Sequence, residues 1–223
     1  MSATTTGTTA PEPLSPTTGE TVAEVARRNR LGIWLIIVSC STGTVALLVA
    51  YSYLWSLNVS SGWAPTAGQA NWADDWPFWA IALGMVLATV LLWRSWRVMQ
   101  AGKSGASVAL AGLASLIFLV CFIGQILQIA TFPFGPQDGA YASATLWLAL
   151  ANCIWLSLAM FLATAVMNRA RLGRIAPDNA SQIQFIAMFA TYLCVAALLG
   201  AVFTLTMKAS PNQSSPPFGT FQN

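Results

Sequence analysis

Histidine is absent from this 223-residue sequence. That excludes imidazole general-base catalysis, haem ligation by histidine, and histidine-ligated zinc, copper or non-haem iron. Charge is nearly as scarce. Only 8% of residues are Asp, Glu, Lys or Arg, against roughly 25% in a soluble domain, which excludes a soluble globular enzyme. Ten Lys/Arg against seven Asp/Glu give a net charge of +3, too sparse for the basic stripe that meets nucleic-acid phosphates, so no nucleic-acid partner is expected. Cys40, Cys121, Cys153 and Cys194 lie in four different apolar stretches with no CxxC pair. That spacing supports neither a thiolate metal site nor a structural disulfide, and such thiols behave as small hydrophobes.

What the chain has instead is apolar length: 56% of it is hydrophobic. Five runs, 31–57, 78–99, 106–130, 141–167 and 183–207, each exceed the roughly 20 helical residues that cross a bilayer core. None alternates as a barrel strand must, and an open sheet cannot satisfy its backbone in lipid. The expected fold is therefore an all-α membrane protein, a five-transmembrane-helix bundle over 31–207. A Thr/Pro/Ser-rich tail, 1–30, is expected to be disordered and lacks the apolar core of a signal peptide; a polar tail, 208–223, follows the last span.

Charge placement orients the bundle. Arg27, Arg28 and Arg30 precede the first span, Arg94, Arg97 and Lys103 separate the second from the third, and Arg169, Arg171 and Arg174 follow the fourth. The alternate segments carry Asp74, Asp75 and Asp138, and Lys208 is the exception to the pattern. The positive-inside rule then predicts a cytoplasmic N-terminus and an outer C-terminus, in a multi-pass protein of a cell membrane. Trp55, Trp63, Trp72, Trp76 and Trp79 crowd the first outer segment, where indole rings ordinarily serve as interfacial anchors.

No Asp, Glu, Lys or Arg falls in the middle of a span, which disfavours autonomous ion or proton pumping. The polar residues there are neutral: Gln125 and Gln128 on the third span, Asn152 on the fourth, and scattered Ser and Thr. Gln125 and Gln128, three apart, share a helix face. They are expected to bond across helices as packing glue, with a polar cavity for a lipid headgroup, water or small ligand as the sharper alternative. Gly105, Ala109, Gly112 and Ser115 recur at helical spacing and permit close helix approach.

Several short motifs carry a resemblance. Gly32, Trp34, Leu35 and Ser39, followed by Ala50 and Tyr51, resemble the first span of the five-helix form of cytochrome c oxidase subunit III. That family opens with Gly-x-Trp-Leu, continues with Ser-Glu, and ends the span with Ala-Tyr; the family's Glu falls on Cys40. Gly124, Gln125 and Gln128 are similar to its Gly-Gln-x-x-Glu, with Gln128 replacing the acid. Ala140, Tyr141 and Ser143 are similar to its Ala-Tyr-Gly-Ser. The family's Gly-Phe-His-Gly-x-His stretch aligns with 150–155, putting Asn152 and Trp155 where histidines are usual. Its Trp-His-Phe-x-Asp signature is not recognisable in 189–196.

The resemblance implies a divergent subunit III of a heme-copper oxidase, with Trp34, Cys40, Tyr51, Gln125, Gln128, Asn152 and Trp155 at family positions. It implies no haem or copper in this chain, both being expected in partner subunits, and no activity for the chain alone. The implied partners are the catalytic oxidase subunit, other membrane subunits and phospholipid. The implied roles are bracing the catalytic subunit, binding lipid, and supporting proton uptake, the last with Cys40 and Gln128 in place of the family acids. Two alternatives stand beside it: a nitric oxide reductase accessory protein of the same fold, and a free-standing lipid-binding or transport protein of the membrane.

Overall fold

A computed structural model of the chain describes residues 19–58, 62–64, 72–208 and 210. Five long helices account for most of them: α1 (Val22–Leu57), α2 (Asp75–Gln100), α3 (Ser104–Ala130), α4 (Ala140–Arg171) and α5 (Ser181–Thr206). All five are long and apolar enough to cross a membrane, and the expected spans match them to within a few residues except at the start of α1. The chain is an all-α, five-helix, multi-pass membrane protein.

α1 begins nine residues before the expected span. Thr21 and Glu24 explain it: the Glu24 backbone N–H donates to Thr21 Oγ1 at 3.3 Å, and the Thr21 N–H donates to Glu24 Oε2 at 3.1 Å. This reciprocal capping box satisfies two otherwise orphaned donors and starts the helix in polar sequence. The tail expected over 1–30 is thus helical from Val22 onward, while residues 1–18 lie outside the described residues. The far end of α1 stops at Asn58, in the left-handed region at φ 37°, a conformation Asn tolerates better than most residues.

Cross-helix pairs set the topology. Ser95 meets Ser107 and Ile81 meets Cys121, so α2 and α3 run antiparallel. Ser115 meets Thr164 and Gln125 meets Asn152, so α3 and α4 do as well. Thr44 meets Tyr192 and Tyr51 meets Phe203, which makes α1 parallel to α5. α2 packs on α3 and α5, α3 on α4, and α1 lies against α4 and α5 at the side of this four-helix group.

Small residues recur at the helix contacts. Ala82, Ala88, Ala111, Ala114, Ala163 and Ala187 are buried at helix contacts, whereas Leu35, Val49, Leu83, Leu116, Val120 and Phe161 face outward. Lipid is as apolar as leucine, so close backbone approach rather than water exclusion drives such packing. The tightest approach is at Gly84, where a Cβ would lie 2.5 Å from Cys121 Sγ. Of the four small residues singled out on α3, Ser115 bonds Thr164 at 2.6 Å and Gly112 abuts Met167. Gly105 and Ala109 are exposed, and nothing lies within 4 Å of where a Gly105 Cβ would stand.

The helix directions collect the charges at two ends. Arg27, Arg28, Arg30, Arg94, Arg97, Lys103, Arg169, Arg171 and Arg174 are all exposed at one end, the basic end. Asp74, Asp75 and Asp138 lie at the other, the acidic end. Lys208, the exception in the sequence pattern, forms an ion pair with Asp75 and donates to the Ala73 carbonyl at 3.2 Å. It is neutralised locally and ties the end of α5 to the start of α2.

Candidate functional site

The polar residues of the spans form layers. Nearest the basic end, Ser95 and Ser107 exchange hydrogen bonds of 2.9 Å with each other's carbonyls across the α2–α3 hairpin. Towards the middle, Thr44 Oγ1 and Tyr192 OH lie 2.8 Å apart, and Thr89 Oγ1 reaches the Ala190 carbonyl at 3.3 Å. A side-chain hydroxyl in lipid costs free energy unless bonded, and each of these either closes on its own helix or crosses to another.

The next layer is a chain of three carboxamides. Asn152 Nδ2 of α4 donates to Gln125 Oε1 at 2.6 Å, and Gln125 Nε2 donates to Gln128 Oε1 at 2.9 Å. Gln128 Nε2 ends the chain, buried and with no hydrogen-bond partner among the described residues. Gln125 and Asn152 also line a cavity with about 50 Å³ open to water-sized molecules, completed by Thr44 of α1, Trp155 of α4, and Gly200 and Thr204 of α5. A water needs only about 10–15 Å³ of such space and two or more polar partners, which these side chains supply. The site can hold water or a small neutral group. Lacking any Asp, Glu, Lys or Arg in its lining, it has no strong acid or base with which to move protons.

Above it, at the acidic end, sits an aromatic cluster. Tyr51 of α1 lies edge-on to Trp63 at 5.2 Å and to Tyr141 of α4 at 6.4 Å between ring centroids, and Trp72 and Phe134 pack on Tyr141 at 4.7 and 5.8 Å. The hydroxyls of Tyr51 and Tyr141 both face Thr145, all three buried. The segment carrying Trp63 caps α4 as well: Gly62 and Trp63 carbonyls accept from the Ala140 and Tyr141 N–H groups at 2.9 and 3.0 Å. Gly139 makes this possible, since its φ of 131° is a conformation L side chains rarely adopt and a Cβ there would lie 2.7 Å from the Ala64 carbonyl oxygen.

Compared with known protein families and with curated proteins, the chain matches none.

The seven residues singled out by the resemblance are distributed as follows. Gln125, Gln128 and Asn152 form one network, and Trp155 shares its cavity. Tyr51 is buried in the aromatic cluster, one layer away. Cys40 is buried in the main core, where its carbonyl accepts from Thr44 Oγ1 at 3.1 Å. Trp34 stands apart, 47% exposed on the outer face of α1. The other three cysteines are free on their separate helices, as Cys40 is.

The expectation of an interfacial tryptophan belt needs correction at Trp63. Its ring is 1% exposed, because it packs under Tyr51 and Tyr141 and its indole N–H finds carbonyl partners. Trp55 and Trp72 are half-buried, and Trp76 and Trp79 keep the exposure an anchor needs. The sequence pattern alone does not mark Trp63, Tyr141, Thr145 or the Ser95–Ser107 pair as site residues. The serines had a readable signal, being hydroxyls in otherwise apolar helices; the role of Trp63 depends on segments far apart in the sequence.

Proposed function

We propose that this chain is a non-catalytic, subunit III-like component of a heme-copper cytochrome c oxidase, seated in a bacterial plasma membrane with its N-terminus cytoplasmic. It braces the catalytic subunit and holds phospholipid, while haem, copper and proton translocation belong to partner subunits. The observation that carries this reading is the convergence of the resembling motifs. The end of the first-span motif, Tyr51, meets the Tyr141 of another across 6.4 Å. Gln125 of a third bonds Gln128 of its own motif and, on the next helix, Asn152, which stands where the family has a histidine.

The chemistry of the interior supports the passive part of the reading. Where the family has acids and histidines, this chain has Cys40, Gln128, Asn152 and Trp155, and the two carboxamides among them are linked through Gln125 in a neutral chain with no acid or base to carry protons. The nine exposed basic residues at one end support the orientation. The test is genetic and biochemical. Deleting the gene is expected to lower the yield or turnover stability of a haem-copper oxidase, and re-expression to restore both. An oxidase that assembles in normal amount and turns over with normal lifetime in the deletion strain defeats the proposal.

A further inference from the structure

The cavity bordered by the carboxamide chain runs along α4 and α5, and α1 lies across it with Thr44 and Leu47. Most polar atoms on its wall are spent. Both polar atoms of Gln125 are bonded within the carboxamide chain, Thr44 Oγ1 is shared between the Cys40 carbonyl and Tyr192, and Thr204 Oγ1 donates to the Gly200 carbonyl at 2.9 Å. Two wall atoms remain open: among the described residues Asn152 Oδ1 and Trp155 Nε1 have no hydrogen-bond partner, and neither is closed off from the surface. One is an acceptor and the other a donor, and their residues, three apart on α4, share a helix face. Beyond them the wall is apolar, with Phe78, Leu148 and Ala197. There is space to fill, since a Cβ on Gly200 would meet nothing within 4 Å.

We infer that this cavity is a binding site for one small uncharged alcohol, a single hydroxyl on an unbranched apolar arm. A hydroxyl is the one group that satisfies both open atoms at once, accepting from the Trp155 indole N–H and donating to Asn152 Oδ1. No Asp, Glu, Lys or Arg lines the cavity, so nothing there offsets the desolvation of a charged headgroup. From Trp155 to Leu148 along α4 is about 10 Å at about 1.5 Å per residue. An extended chain advances about 1.2 Å per bond, which sets the arm at about six to eight carbons. Water alone fits less well, because each molecule needs roughly two to four polar partners and the wall beyond Asn152 and Trp155 offers mainly Leu, Phe and Ala. A membrane phospholipid does not fit, since Asn152 lies about 18 Å along α4 from Ala140, its first residue, deeper than a headgroup stands.

The inference rests on the cavity alone, so it holds or fails independently of the oxidase proposal. The probe is an eight-carbon alkanol carrying a diazirine, photolysed with the full chain in lipid nanodiscs, with adducts located by peptide mass spectrometry. Saturable labelling by one alkanol per chain is expected at Leu47, Leu148 or Ala197, displaced by hexan-1-ol and about tenfold less well by hexane or hexylammonium. From butanol to octanol each added methylene is expected to lower the displacing aqueous concentration about fourfold, and the gain to stop beyond about nine carbons. Trp155→Phe keeps a ring and loses the donor, and is expected to weaken binding about threefold to tenfold. Gly200→Leu fills the cavity and is expected to abolish the labelling with helix content unchanged. Labelling that does not saturate, or that falls equally on the outward-facing Leu83 and Phe161, overturns the inference. So does displacement by hexane as effective as that by hexan-1-ol, or a Trp155→Phe variant that binds as tightly as the parent chain.

Discussion

The indole Nε1–H of Trp63 donates to the carbonyl oxygens of Met207 at 3.2 Å and Lys208 at 2.9 Å. One side chain from the α1–α2 connection thereby closes the end of α5, while the backbone of the same residue caps α4 and its own N–H is held by Asn58 Oδ1 at 3.0 Å. The end of α1, the start of α4 and the end of α5 thus meet on a single residue. Lys208, held there, is then in place to pair with Asp75 at the start of a fourth.

Replacing Trp63 with Phe keeps most of the ring packing and removes the indole donor. The expected loss is about 1–2 kcal/mol, the net worth of one or two hydrogen bonds at a buried site. Trp63→Ala, which also empties the ring's place under Tyr51 and Tyr141, is expected to cost about 3–5 kcal/mol. Reversible unfolding in detergent measures both. Equal losses for the two variants would show that the hydrogen bonds, not the packing, carry the residue's contribution.

Gly84→Ala drives a methyl group onto Cys121 Sγ, and overpacking of this kind costs about 1–3 kcal/mol. Cys121→Ala removes the obstructing sulfur. The double variant is therefore expected to recover part of what Gly84→Ala loses, a non-additivity seen by comparing the four unfolding midpoints. Strict additivity would mean that the two sites do not touch.

Gln125→Leu breaks both links of the carboxamide chain, and Asn152→Leu breaks one. Interhelical bonds of this type in membranes average about 0.6 kcal/mol and reach about 1.7. A double-variant cycle is expected to give a coupling in that range. Because Cys40 has no carboxylate to lose, Cys40→Ala is expected to leave the oxygen consumption of the proposed oxidase nearly unchanged; a several-fold drop would assign the thiol a role in turnover.

Much of this architecture is legible from residues alone, and the parts that are not have a common cause. Apolar runs fix the spans because lipid tolerates little else, so α2 to α5 fall where run length places them. The start of α1 is set by a local signal, Thr21 with Glu24, that lies outside the apolar run and says nothing to a hydropathy reading. That Gln125 and Gln128 face one way follows from their spacing, whereas their bond to Asn152 requires knowing how α3 meets α4. Gly112 and Ser115 cannot be told from Gly105 and Ala109 by periodicity, since all four lie on one stripe and only the half nearer the acidic end meets a neighbour. Trp63 is least legible of all, a residue that reads as an anchor by composition and is buried through contacts with α1, α4 and the end of α5.

Orientation gives a prediction of its own. With nine exposed basic residues at one end, a reporter active only in the cytoplasm is expected to work when fused before residue 19 and to fail when fused after residue 210. Lys208 does not disturb this expectation, because its charge is offset by Asp75. The reverse pattern would invert the bundle and with it the face offered to soluble electron donors.

The most direct measurement of the central claim is the reduced-minus-oxidised optical spectrum and subunit composition of the complex purified through a tag on this chain in mild detergent. The account predicts haem bands that travel with a large catalytic oxidase subunit and vanish from this chain once the complex is dissociated. A chain that purifies alone and colourless from gently solubilised membranes would contradict it, and so would a chromophore that stays with the isolated polypeptide.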